Sequence, residues 1–216
     1  MKLGRFVEHD PKSWNYQARR ATQLKTVLWS HKAPVLDQGN LGSCTGNALA
    51  QCCNTTKFVH SRLRGRYLDE TAARNLYSRA THLDSDPASW PPTDTGSSSL
   101  AVCKAGVALG YLSGYRHAFG FDHFAAAIGL QPVIAGTNWY DSMFEPDRNG
   151  VVTIGGQVAG GHEYLVLGIS YRTRMVTCLN SWSKSWGMSG RFKMSFDTFT
   201  RLLNEQGDIA APIGIR

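Results

Sequence analysis

No run of about 18 apolar residues occurs in this chain, because the longest apolar segments are broken by Gly or His, and a membrane-spanning helix is thereby excluded. The N-terminal stretch also lacks the apolar core of a secretory leader, being interrupted by Glu8, His9 and Asp10. Repeats and low-complexity tracts are missing too, so the 216 residues are read as one domain, or two lobes sharing a cleft. Charge is sparse at 18% against 42% hydrophobic residues, the balance of a globular chain rather than a disordered one. The five cysteines, Cys44, Cys52, Cys53, Cys103 and Cys178, form an odd and irregularly spaced set, which excludes a complete disulfide framework and points to free thiols in a reducing compartment. Adjacent Cys52 and Cys53 make a poor metal site, since neighbouring helical positions diverge by about 100°. No metal and no cofactor are expected.

What is present in excess is positive charge: a net +7 and an isoelectric point near 9.3. Arg62, Arg64 and Arg66 cluster, but no nucleic-acid recognition motif accompanies them, so they read as a solvated basic face and no nucleic-acid partner is expected.

Residues 1 to about 33 show no strong period and read as an extended lead-in wrapped on the body. After the turn-rich segment Asp37-Gln38-Gly39-Asn40-Leu41-Gly42-Ser43, the spacing of Ala48, Leu49, Cys52 and Cys53 predicts a helix starting near Cys44. A second amphipathic helix is predicted over 69–82, a third through Leu100, Cys103 and Val107 behind a serine cap, and a short one around Asp122 to Ile128. Beyond residue 130 the texture changes to strands at Pro132–Ala135, Tyr164–Ser170, Met175–Leu179 and Arg191–Met194. Helices first and strands later favour an α+β arrangement, a helical lobe on a sheet lobe.

Cys44 alone among the cysteines opens a predicted helix, where unpaired backbone N–H groups and the positive helix end favour thiolate over thiol. Gln38, six residues earlier on a glycine-bearing loop, can bring its amide and the Cys44 N–H to one developing oxyanion. Of seven histidines, His162 stands apart, following Gly160 and Gly161 and preceding the apolar strand Tyr164-Leu165-Val166-Leu167. The segment Leu179-Asn180-Ser181-Trp182, continued to Trp186-Gly187 and Gly190, supplies an amide that can fix an imidazole tautomer and an indole that can shield it. The glycines from Gly155 to Gly161 are not a phosphate-binding loop, because no Lys-Ser or Lys-Thr follows and a strand comes next.

These three segments, in this order and spacing over roughly residues 27 to 196, resemble the papain-like cysteine peptidases, in particular their bacterial and bacteriophage branches. The resemblance implies a two-lobed α+β fold with an antiparallel β-sheet or barrel lobe and the active-site cleft between lobes. An N-terminal extension, 1–26, would precede a catalytic domain, 27–216, with its helical lobe at about 44–128 and its β lobe at about 129–216. It implies a cysteine-type endopeptidase with Cys44 as nucleophile, His162 as general base and acid, Asn180 as orienter, Gln38 as oxyanion donor and Trp182 as indole shield. Thr95, Gly96, Gly136, Gly161 and Glu163 are the implied substrate-binding positions. Glu163 stands where small residues are usual and would favour a basic side chain if it faces the cleft.

The chain departs from the family pattern in several places. Leu41 stands where a disulfide cysteine is usual, Thr45 replaces the customary Trp after the nucleophile, and 43 residues before Cys44 are too few for the family's long inhibitory prosegment. Terminal segments usually pack on the outside, and residues 1 to 25 are expected there rather than over the cleft. The expected partner is a peptide or protein substrate, in the cytoplasm of a bacterium or a phage-infected host; no membrane partner is expected, and the sequence does not set the oligomeric state. Two rivals stand beside the peptidase: a peptidoglycan-directed cysteine amidase or endopeptidase, and a catalytically inactive papain-fold binding protein.

Overall fold

The computed structural model describes residues 1–58 and 66–214; Arg62 and Arg64 of the basic cluster lie outside the described residues, and Arg66 is exposed. In chain order the elements are β1 (Val27–Leu28), α1 (Cys44–Cys53), α2 (Glu70–Thr81), α3 (Ser99–Ala108), β2 (Leu112–Ala118), α4 (Gly120–Ile128), β3 (Val133–Tyr140), β4 (Val158–Ser170), β5 (Met175–Leu179), β6 (Arg191–Ser195), α5 (Phe196–Asn204) and β7 (Asp208–Gly214). Short 3-10 turns cover Pro11–Asn15 and Asp141–Phe144. The chain is α+β, as its texture predicts.

Several of these helices start where a side chain satisfies an otherwise unpaired backbone N–H. Asp69 accepts from Ala72 N at 2.9 Å to open α2, Ser98 accepts from Ala101 N at 3.1 Å to open α3, and Ser195 accepts from Thr198 N at 3.0 Å to open α5.

The strands form one antiparallel sheet in the order β2-β7-β3-β4-β5-β6, with β1 added along β4. From His162 to Ile169 strand β4 is covered on both faces, which is why Tyr164-Leu165-Val166-Leu167 reads as a continuous apolar run. Its Tyr164 and Val166 enter a core with Trp139, Phe192 and Phe199, while Leu165 and Leu167 enter a second core with Leu49 and Leu76 of the helical layer. Successive side chains of a strand point to opposite faces, so this one strand ties the two cores together. Each such fully buried large side chain contributes about 1.5–3 kcal/mol.

The sequence boundary between lobes does not follow the sheet. β2 lies inside the range assigned to helices, yet pairs with β7 at the sheet's edge. Its burial does not alternate cleanly and its register shifts between Leu112 and Gly114, while β7 contains Pro212, so neither carries a clear strand signal. No helix among the described residues is long and apolar enough to cross a membrane. All five cysteines are free.

Candidate active site

Helix α1 carries Cys44 at its first position, and its start differs from the capped helices. The Ser43 hydroxyl donates to Asn47 Oδ1 at 2.9 Å instead of bonding a first-turn N–H, so those N–H groups are left for another partner. The sulfur is fully buried, with backbone N–H groups of Glu163, Gly4 and Thr45 near enough to favour its anion. Burial pushes the Cys44 thiol up to about 12, and this outweighs those donors. The sequence favours a thiolate here; in the fold, loss of water reverses that preference.

His162 projects from β4 opposite Thr137 of β3, one residue before Glu163, whose backbone N–H lies near the sulfur. Asn180 follows the end of β5, the strand on the other side of β4, and its backbone N–H is tied to Gly190 O at 2.8 Å. Two adjacent strands thus place His162 Nε2 at 2.7 Å from Asn180 Oδ1. An amide oxygen only accepts, so Nε2 carries the proton and Nδ1 of the neutral ring is left as an acceptor. Nδ1 is buried and has no protein partner. Burial draws the His162 imidazole down to about 4 despite the Asn180 bond, so the ring is neutral. Trp182 stacks on it at 4.6 Å and 24°, and Trp139 meets it edge-on at 4.9 Å. Both indoles exclude water from the His162–Asn180 bond.

Gln38 is joined to the same loop as Asn180. Its N–H donates to Ser181 O at 2.9 Å and its Oε1 accepts from the Ser181 hydroxyl at 2.7 Å, which leaves the Nε2 donors facing the other way. They donate to Leu41 O at 2.8 Å and to Lys2 O at 3.0 Å. The second acceptor belongs to the N-terminal segment, and this is the main departure from expectation: residues 2–6 lie in the cleft rather than outside it.

The segment is held as an extended peptide. Gly4 N and Arg5 N donate to Gly161 O at 3.2 and 3.0 Å, Ser97 N donates to Gly4 O at 2.7 Å, and Phe6 N donates to Ser97 O at 3.0 Å. This is a parallel bridge between Arg5 and Ser97. Of the expected substrate positions, Gly161 thus contacts the segment directly. Gly96, at φ +81°, lies against it so closely that a Cβ would stand 2.3 Å from Gly4 O. The Thr95 hydroxyl donates to the Gly96 carbonyl at 3.1 Å and its N–H to Thr93 O at 3.2 Å, neither of them in the segment. Lys2 pairs with Asp94, which also accepts from the Gly42 N–H at 2.9 Å and from the Tyr77 hydroxyl.

The side chain of Arg5 enters a closed pocket and is only 1% exposed. Its guanidinium pairs with Asp208 and donates to Gln206 O at 2.8 Å. Gly136 makes room for this meeting: a Cβ there would stand 2.5 Å from Glu163 Oε2, 2.6 Å from Arg5 Nε and 2.7 Å from Asp208 Oδ1. Glu163 lines the pocket, but its Oε2 accepts from the Ser99 hydroxyl at 2.6 Å. Burial first, and then the charge of Asp208, push its carboxyl well above the usual carboxylate range. Asp208 is the carboxylate that pairs with Arg5. Sequence reasoning missed Asp208 and Ser97, which stand in no motif, and assigned no role to Ser181, inside the Asn180-Ser181-Trp182 segment, or to Asp94, next to Thr95; the acidic groups around one glycine come together only in three dimensions. Among the described residues, no group of three or more His, Cys, Asp and Glu is placed to hold a metal ion.

No family model and no curated protein sequence matches this chain. Solved structures do match its fold. Xylellain, a cysteine protease from Xylella fastidiosa, superposes with a TM-score of 0.77 at 18% identity, covering 99% of this chain and 96% of that one. ProCathepsin B S9 from Trypanosoma congolense gives 0.66 at 14% identity, covering 99% and 87%. The Carica candamarcensis cysteine protease CMS1MS2, solved in complex with E-64, gives 0.61 at 17% identity, covering 86% and 95%. The architecture is the papain-like fold.

Proposed function

We propose that this protein is a cysteine-type endopeptidase acting through Cys44, His162 and Asn180, with Gln38 as oxyanion donor. The observation that carries the reading is the 2.7 Å bond from His162 Nε2 to Asn180 Oδ1, which leaves Nδ1 as a proton acceptor one residue from Glu163, whose backbone N–H lies near the Cys44 sulfur. A peptidase needs a nucleophile, a base held in one tautomer, and donors aimed at a developing oxyanion. The papain-like fold, shared with proteases of the structures compared above, supports the same reading.

In the proposed reaction the peptide displaces residues 2–6 and water returns to the cleft edge, which lowers the cost of charge on both groups. The Cys44 proton passes to His162 Nδ1. The sulfur attacks the scissile carbonyl carbon, and the oxyanion is held by Gln38 Nε2 and the Cys44 N–H. Imidazolium gives its proton to the leaving amine as the C–N bond breaks, leaving a thioester. Water, deprotonated by His162, attacks that thioester and releases the carboxylic acid and the thiol. Division into an N-terminal extension and a catalytic unit, origin in a bacterial or phage branch, and a cytoplasmic setting are parts of the same proposal.

The test is hydrolysis of an unfolded protein substrate and of purified cell walls by the full chain and by its Cys44→Ala and His162→Ala variants, with iodoacetamide labelling read by mass spectrometry. Protein cleavage lost in both variants, with label on Cys44, supports the reading. Cleavage of walls alone favours the amidase rival, and no cleavage of either despite labelling of Cys44 favours a binding protein.

A further inference from the structure

We infer that the pocket holding Arg5 is the substrate's side-chain pocket, that Asp208 makes it select a guanidinium or ammonium group, and that residues 2–6 occupy the cleft as an internal competitor of basic peptides. The inference deepens the peptidase reading and rests on it.

The hydrogen bonds of the segment's backbone go to groups that an extended peptide can reach: the Gly161 carbonyl, both backbone groups of Ser97 and the Gln38 amide. Main-chain bonds of this kind carry affinity without side-chain preference, so preference must come from the pocket that a side chain enters. At Arg5 that pocket is closed and acidic. Asp208 pairs with the guanidinium, Glu163 also borders the space left by Gly136, and Gln206 offers a carbonyl. Removing the cation would strand the partly buried charge of Asp208, which gives the pocket a standing demand for a positive group.

Arg5 meets that demand incompletely. Its Nε and Nη1 are buried with no partner in the protein, and so is Glu163 Oε1. A guanidinium can donate five hydrogen bonds, and buried donors left unmade weaken the fit. The tethered arginine is thus well placed to hold the cleft while it is empty. A free peptide, whose basic side chain can adjust its depth, satisfies more of these groups and displaces it by mass action. The outer latches are weaker still, since Lys2 of the Lys2–Asp94 pair is 45% exposed.

The test uses the full chain and the variants Arg5→Ala, Arg5→Lys, Asp208→Asn and Arg5→Ala/Asp208→Asn, each checked by circular dichroism and thermal melting. The first readout is the rate of Cys44 alkylation by iodoacetamide. It should rise by about tenfold or more in Arg5→Ala and in Asp208→Asn, following the population of the uncovered state, and stay near the parent value in Arg5→Lys. The second is protection of Cys44 in Arg5→Ala by acetyl-Arg-Gly-amide, acetyl-Leu-Gly-amide or acetyl-Glu-Gly-amide. The arginyl compound should protect at lower concentration than the others, and the double variant should lose that difference. Unchanged alkylation in a folded Arg5→Ala protein, or equal protection by the three compounds, overturns the inference. Neither readout needs turnover. Side-chain-dependent protection without peptide hydrolysis would leave the pocket standing and remove the peptidase reading, whereas hydrolysis indifferent to the side chain would do the reverse.

Discussion

Gly4 lies so close to Gly42 that a Cβ built on it would stand 1.9 Å from the Gly42 carbonyl oxygen. Contact between two backbones at that distance is open only to glycine. The N-terminal segment is therefore fitted to the floor of the cleft beside Cys44, and its removal can be forced from one position.

Gly4→Val should expel the segment without touching the body of the fold. The Cys44 thiol, no longer desolvated to the same degree, should be alkylated about tenfold faster or more at neutral pH, while the melting temperature stays within a few degrees of the parent. A melting temperature held with no gain in alkylation would mean that the segment does not control access.

Gln38→Ala should separate two roles. Loss of an oxyanion donor should lower kcat by about 100-fold to 1,000-fold. The same change removes the bond to the Lys2 carbonyl, so Cys44 should be alkylated faster, not slower. A fall in both rates would indicate a merely structural role for this side chain.

Trp139 is fully buried, with ring contacts to His162, Tyr164, Trp182 and Phe192. Trp139→Ala should cost about 3–5 kcal/mol in urea unfolding, the range for deleting a large core aromatic. A loss below about 1 kcal/mol would show that the core collapses around the gap.

His31 titrates at about 4 because burial, and then the charge of Arg191, disfavours its cation. Its folded value is depressed, so its contribution to stability is complete above the unfolded value near 6.5 and is lost as pH falls through about 4. A neutral His31→Gln variant escapes this loss. Relative to the parent it should gain roughly 1 kcal/mol between pH 7 and pH 4, discounted for the partial exposure of the ring. Melting curves that stay parallel over that range would refute the assignment.

The candidates for chemistry were legible in the sequence because reaction chemistry restricts residue type. Only one cysteine opens a helix, one histidine sits between glycines and an apolar strand, and one asparagine precedes a paired tryptophan motif. The helices were legible for local reasons, since Asp69 and Ser98 are caps whose partners lie three residues away. Strands β2 and β7 were not, because neither has a clean period: β2 is made a strand by β7 across about 100 residues, and β7 by β2 and β3 on its two sides.

Amino-acid order alone determined which side chains were available: a thiol at a helix start, an imidazole, a carboxamide and a glutamine, in a chain of mixed helices and strands. Tertiary structure decided their state. Whether Cys44 is thiol or thiolate depends on how much water reaches it, and that depends on where residues 2–6 come to rest. The pairing of Arg5 with Asp208 joins positions 203 apart in sequence. No local pattern encodes such a contact, because it exists only once the sheet has brought β7 beside β3 and the N-terminal segment has settled into the cleft.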